Sequence, residues 1–472
     1  MDCRDLGRRI DWIAASSCAA FLIAPSDAFA HASDRGYVLL LPTGYYLFGG
    51  AMAVAASFLA LLFVPQATLD RLAAWRFPLF AVPETLRFWT SLVSFLILCT
   101  LIAAGILGSR DPLSNPLPLT VWTLLWIGLT IIQGLFGNLW RWLDPWYAPV
   151  KLAGALIPRH RSLPEQLGYW PAVVLFAGFA WFELIYVAPD DPYRLAMATG
   201  GYWLLTFAIM LVVGHEQWSA RGEFLSVFFR MVSRFGVFDA AADDRRRVSL
   251  CLPGAKLWSE QPLPLSGTLF LLLALASVSF DGFSKTFFWL GSNGINPLEF
   301  PGRTALQSTN TAGLAGMFVA LAAVFLICVA VGERLAGKHP ALDAAGLLVW
   351  SIVPIALAYH FSHYLTVFLV NAQYALVAFS DPFGLGWNLF GTAYMPVSAG
   401  IVMGSEQAVQ IWNAQAFAII GGHVLAVLVA HGLAARLHGA ARDALLSQLP
   451  LTLLMIGYTV FGLWLLSTPT AR

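Results

Sequence analysis

The sequence predicts an all-α fold, a polytopic membrane bundle of about ten transmembrane helices behind a cleaved signal peptide, and three observations carry that prediction. The chain is 58% hydrophobic and only 11% charged, with a mean hydropathy of +0.71, where soluble domains have roughly 45–50% apolar and 25% charged residues. A window of about 19 residues finds about ten apolar stretches long enough to cross a bilayer. None alternates as a barrel strand does, and in lipid an unpaired backbone leaves helices as the only other solution.

Residues 1–30 read as the leader. Arg4, Arg8 and Arg9 form a basic head, "WIAASSCAAFLIA" is an apolar run too short to span comfortably, and Ala28-Phe29-Ala30 is the small-x-small pattern of a cleavage site. Cleavage there makes His31 the first residue of a mature domain covering 31–472. The spans then fall near residues 37–64, 87–108, 117–138, 168–187, 195–215, 265–289, 311–332, 344–378, 406–434 and 446–467. Two Trp- and Arg-bearing stretches between them, near 139–165 and 216–262, read as segments lying in the interface, with aromatic rings at headgroup depth. "ADDRRR" reads as a solvated charge run.

Lys and Arg set the orientation. Arg71 and Arg76, Arg141 through Arg161, Arg221 through Lys256, Arg334 and Lys338, and Arg436 and Arg442 fall in alternate loops, while the other loops hold chiefly Arg110, Arg194 and Arg303. Positive-inside asymmetry therefore predicts an even number of spans with both mature termini on the outer side, which is the periplasm in the bacterial inner membrane implied by the resemblance given below. The formal net charge of +1 and the absence of a long basic run exclude nucleic acid as an expected partner. The expected partner is the lipid bilayer, joined by a lipophilic small-molecule substrate in what the resemblance given below implies. The five cysteines are scattered, with Cys3 and Cys18 in the leader and Cys99 and Cys328 inside apolar runs, so no disulfide framework is implied. No phosphate-binding loop, dinucleotide fingerprint, nucleophile elbow or internal repeat is present.

Ionisable side chains inside spans are expensive and are the default functional candidates. The eighth span carries His360 and His363 near its middle, and at about 100° per residue these share a sector with Tyr364, Asn371 and Tyr374; Gln373 adds to the polar lining. The ninth span carries Asn413 and Gln415 early, His423 midway and His431 near the basic side, with Gly421 and Gly422 inviting a close helix. His423 is expected at a depth similar to His360. The sixth span holds Asp281 and Lys285 one turn apart, an obvious i,i+4 bridge, and the fourth holds Glu183.

Three imidazoles at similar depth with two carboxylates suit a divalent transition metal such as zinc, copper, iron or manganese. In that reading His360, His363 and His423 are ligands, and Asp281 or Glu183 is a ligand, an orienting group or a general base. His31, whose terminal amine and imidazole chelate together, could cap the cluster. The spacing of the histidines matches a b-type haem poorly.

The segments "HASDRGYVLLLPTGYYLFGGA", "SFDGFSKTFFWLGSNGINPLEFPGR", "YHFSHYLTVFLVNAQYALVAFSDPFGLGWNLFGT" and "WNAQAFAIIGGHVLAVLVAH" resemble those of bacterial polytopic membrane proteins carried under the name fenitrothion hydrolase. The resemblance implies an inner-membrane enzyme that cleaves the aryl ester bond of organophosphorus triesters with metal-activated water; it supplies no residue roles. Two other readings stand beside it. One is a proton-coupled or metal-handling transporter using the same groups, favoured if His431 and His215 align with His423 toward the basic side. The other is a copper oxidase-type enzyme built on the His31 chelate.

Overall fold

The computed structural model describes residues 43–154, 161–240, 247–299, 302–337, 339–402 and 404–470. The expected leader and His31 lie outside the described residues. Among the described residues ten helices are long and apolar enough to cross a membrane: α1 (Thr43–Leu61), α2 (Glu84–Leu107), α3 (Pro116–Leu135), α4 (Glu165–Leu184), α5 (Pro192–Val213), α6 (Leu265–Ser284), α7 (Gly302–Ala336), α8 (Ala341–Ser380), α9 (Ser405–His438) and α10 (Ala441–Ser467). The protein is a multi-pass membrane helix bundle.

Lipid offers no hydrophobic drive between helices, so close approach through small residues organises the bundle. The run "LALASVSFDGFS" in α6 is rich in Ala, Ser and Gly, and this helix is buried on all sides between α4, α7, α8 and α10. On α9 the Cβ that Gly422 lacks would sit 2.5 Å from the Ala358 Cβ and 2.9 Å from the Pro354 carbonyl, so the glycine lets α9 lie against α8. Gly421, also expected to serve this purpose, faces open space. Helix α8 is broken near its start by a 3₁₀ turn at Val349–Ser351, just before Pro354, whose ring cannot sit in a regular helix interior. In α3 the stretch Leu119–Leu129 is π-helical, and it presents the Trp126 carbonyl to α8.

The loops bearing Arg71, Arg76, Arg141, Arg221, Arg334 and Arg436 share one side, here called the basic face. Two features there differ from the sequence expectation. The segment expected to lie in the interface includes the helix Phe224–Val232, which is instead almost wholly buried beneath α3 and α4, with the Phe228 ring 5.3 Å from Trp126 and 5.7 Å from Phe176. Glu223 allows this by accepting the Leu225 and Ser226 amides and the Tyr202 hydroxyl, which satisfies the helix start in a dry place. The other difference is a three-stranded antiparallel sheet in the order β1 (Arg76–Ala81), β3 (Arg247–Cys251), β2 (Phe238–Ala240), closed by an Arg76–Asp239 bridge of 3.0 Å.

Candidate functional site

The polar centre of the bundle forms where α6 and α4 run out. Asp281 sits on the last turn of α6 and is buried, while Lys285, the residue that caps that helix, brings its ammonium back to 2.6 Å from Asp281 Oδ1 with the rest of its side chain half-exposed. The expected i,i+4 bridge is therefore present. From α8, His363 Nε2 lies 2.7 Å and the Tyr364 hydroxyl 2.9 Å from Asp281 Oδ2. Glu183, on the last turn of α4, holds the same Tyr364 hydroxyl at 3.0 Å through Oε1.

Proton counting gives this arrangement its chemistry. Three donors on Asp281, one of them an ammonium, suit a carboxylate. Tyr364 has one hydroxyl proton within reach of two carboxyl oxygens, so it donates to one and serves the other only when that carboxyl carries a proton of its own. Glu183, Tyr364, Asp281 and His363 thus form a continuous line along which a proton can be shared.

His360 stands beside this line rather than in it. Its Nε2–H donates to the Trp126 carbonyl at 2.8 Å, and its ring packs edge-on to Trp126 and to Tyr364. His423 belongs to a separate group. It lies near the expected depth but faces Tyr359 and Tyr458, with ring centroids 6.1 and 6.3 Å away; Nδ1–H donates to Ile419 in its own helix at 2.8 Å, and Nε2 is buried without a partner. Tyr359 and His360 are neighbours in sequence, and 100° of helix rotation sends them to different sides of α8. Among the described residues no group of three His, Cys, Asp or Glu is placed to hold a metal ion.

The remaining expected residues have local roles. Gln415 and Ser362 clasp α9 to α8 reciprocally, Nε2 to the Ser362 carbonyl at 2.7 Å and Oγ to the Gln415 carbonyl at 3.0 Å. Gln373 holds the loop after α8 through both Ser398 backbone groups, and Asn413 accepts from Tyr46 on α1. Among the described residues the Asn371 side chain has no hydrogen-bond partner, and it lies along α8 between His363 and Tyr374.

A cavity of about 20 Å³, room for about one water, joins the two groups: His363 and Ser362 line one side and Tyr359 and Gly462 another. Gly462 is needed there, because a Cβ would stand 2.1 Å from the Tyr359 hydroxyl. Tyr359 donates to the Tyr458 carbonyl at 2.7 Å, and Tyr458 donates to Ser279 Oγ at 2.5 Å, since Ser279 spends its own proton on Leu275. Toward the basic face His431 Nδ1 meets Gln448 Oε1 at 3.1 Å. At that face buried Glu333 accepts from Ser447 at 2.6 Å and from His438 Nε2 at 3.1 Å, and among the described residues Glu333 Oε2 and His438 Nδ1 have no hydrogen-bond partner.

Tyr359, Tyr458, Ser279 and the Glu333–His438 pair escaped the sequence reading. One signal for them existed: Gln448, Thr452, Met455, Thr459 and Gly462 recur on one face of α10, a polar stripe inside a span. His215 does not join this column. It lies at the basic face with Nε2 2.5 Å from Asp144 Oδ2 and Glu216 on its other nitrogen, while Arg87 bridges to Glu216 at 3.0 Å. Burial opposes its charge, but Asp144 and Glu216 outweigh burial and push the imidazole up to about 9. Comparison with known proteins finds no family model, no curated protein and no solved structure that matches this chain.

Proposed function

We propose that this chain moves protons across the membrane as a proton-coupled transporter, with the basic face cytoplasmic and the inner membrane of a bacterium as its location. One observation carries the reading: proton-exchanging groups lie in succession on α6, α7, α8 and α9, from Lys285, Asp281 and His363, past a one-water cavity to Tyr359 and His423, and on toward the basic face at His431 and the Glu333–His438 pair. Intramembrane groups of these types facing a bundle interior are what proton relays use. His431 lies in that succession and His215 does not.

The test is potential-driven proton flux into proteoliposomes carrying a trapped pH dye. The intact protein should acidify or alkalinise the lumen at least several-fold faster than protein-free vesicles. Asp281→Asn, and Tyr364→Phe, which keeps the ring and removes only the shared hydroxyl, should lose most of that flux. Flux equal to that of empty vesicles sinks the reading.

The hydrolase implied by the resemblance retains one supporting observation. His363 bonds Asp281 through Nε2, and its other nitrogen faces Gly282 at the one-water cavity. An Asp-oriented imidazole beside a water can act as a general base without a metal. In that reaction water adds to phosphorus as His363 takes its proton, the bond from phosphorus to the aryl oxygen breaks, and the imidazolium returns the proton to the leaving aryl oxide to give the phenol. Release of the phenol from a chromogenic aryl phosphotriester, lost in His363→Gln, is the corresponding assay.

A further inference from the structure

Opposite the basic face, at the mouth of the bundle, lies a cavity of about 670 Å³, within the roughly 300–1,000 Å³ of small-molecule clefts. Its charge character is one-sided. Helix α2 ends on it at Leu107 and Gly108, and α8 ends on it at Val377 and Ala378. The C-terminus of a helix carries roughly half a negative charge. The two ends abut, since a Cβ on Gly108 would lie 3.1 Å from the Pro382 carbonyl.

Asp381, which follows the last residue of α8, adds a full negative charge. Desolvation favours its neutral form, but the backbone amides of the turn that follows prevail and hold the carboxyl below the usual carboxylate range, with Leu385 N at 2.9 Å and Gly386 N at 2.7 Å. Among the described residues no Lys, Arg or His lines the cavity. The nearby Arg110 is turned away, 3.6 Å from Asp191 and stacked on Tyr193. Four aromatic residues line it, Tyr374, Tyr394, and Phe383 set edge-on to Trp387 at 6.0 Å, beside apolar Leu113, Met395 and Val397.

Negative helix ends, one carboxylate and aromatic faces together recognise a cation with apolar substituents, because an aromatic face attracts a poorly hydrated cation and an apolar body replaces water in the cleft. We propose that this cavity is a binding site for an amphiphilic organic monocation, a quaternary ammonium or protonated amine bearing an apolar group. Binding follows from the cavity alone. That the bound ion is the cargo exchanged against protons rests on the transport reading: Tyr374, Asn371 and His363 share one face of α8, so an ion leaving the cavity inward meets the Asp281 network.

The test uses the full chain in nanodiscs, with trimethylphenylammonium and its uncharged carbon isostere tert-butylbenzene as probes and calorimetry as the readout. The cation should bind at least about tenfold tighter than the isostere. Asp381→Asn, which keeps an oxygen for the turn, should weaken the cation about tenfold and leave the isostere unchanged. If that variant melts early, Trp387→Leu decides, since its side chain makes no hydrogen bond to the turn. Equal affinity for the two probes, or cation binding unchanged in a well-folded variant, overturns the site. Binding without proton flux upholds the site and rejects the transport role, whereas flux without binding does the reverse.

Discussion

His215 shows how a single residue at the basic face acquires an individual chemistry. It sits where Gly214, at φ 88°, turns the chain out of α5, and it is sandwiched between the carboxylates of Asp144 and Glu216. A histidine raised to about 9 in the folded protein contributes stability that is fully present below the ordinary imidazole value near 6.5 and is lost as pH rises through about 9. At about 1.4 kcal/mol per unit, the full effect is at most about 3.5 kcal/mol. His215→Gln should therefore melt below the parent protein at about pH 6, with the gap closing by about pH 10. Lys256, which burial pushes down to about 8, titrates in the same window but is common to both proteins. A gap constant with pH would mean that Asp144 holds a neutral ring.

The helices meet where side chains are missing, and the seam between α7 and α10 is the sharpest case. A Cβ on Gly332 would lie 2.0 Å from the Ser447 carbonyl, a backbone atom that cannot rotate away. Beside it Glu333 accepts from Ser447, so the same contact positions the buried pair with His438. Gly332→Ala should lower the stability of the bundle by about 1–3 kcal/mol, read as a drop in melting temperature in detergent. Gly316→Ala, on the same helix with nothing within 4 Å of its Cβ, should leave melting unchanged or slightly raised, since alanine is the better helix former. Equal effects at the two positions would show that helix propensity, and not the seam, governs α7.

At the scale of the whole molecule, ten helices able to cross a membrane put both ends of the described chain on one side if each crosses once. With the basic face cytoplasmic, Glu299→Cys in the loop before α7 should react with a membrane-impermeant maleimide on intact cells. Asp70→Cys, in the loop after α1, should react only after permeabilisation; native cysteines are replaced in both. The reverse pattern would invert the topology and with it the direction in which the column of proton-exchanging groups faces.

Membrane insertion and the number of crossings were legible because hydropathy sums along the chain, and lipid tests each stretch of about 20 residues largely by itself. The expensive residues were legible for the same reason. Asp281, Glu183, His363, Tyr364 and Lys285 stood out as charges or polar groups in apolar surroundings, and the structure brings these five together. Their partners were not legible. Whether an imidazole meets a carboxylate, a carbonyl or a neighbouring tyrosine depends on helix rotation and tilt, which pattern alone does not set. His363 turns to Asp281, His360 to a carbonyl that a π-helical stretch of α3 presents, and His423 to Tyr359 on the other side of α8. The sheet escaped because its strands are short and pair residues up to 175 positions apart. The burial of Phe224–Val232 escaped because a helix bearing basic residues looks interfacial until Glu223 and Tyr202 are seen to satisfy its buried start. By itself the sequence determined that the chain carries about ten stretches apolar enough to cross a bilayer and which costly groups lie in them, because those follow from local transfer free energies. Only the tertiary structure decided which of those groups touch, because that is fixed by contacts between helices far apart in sequence.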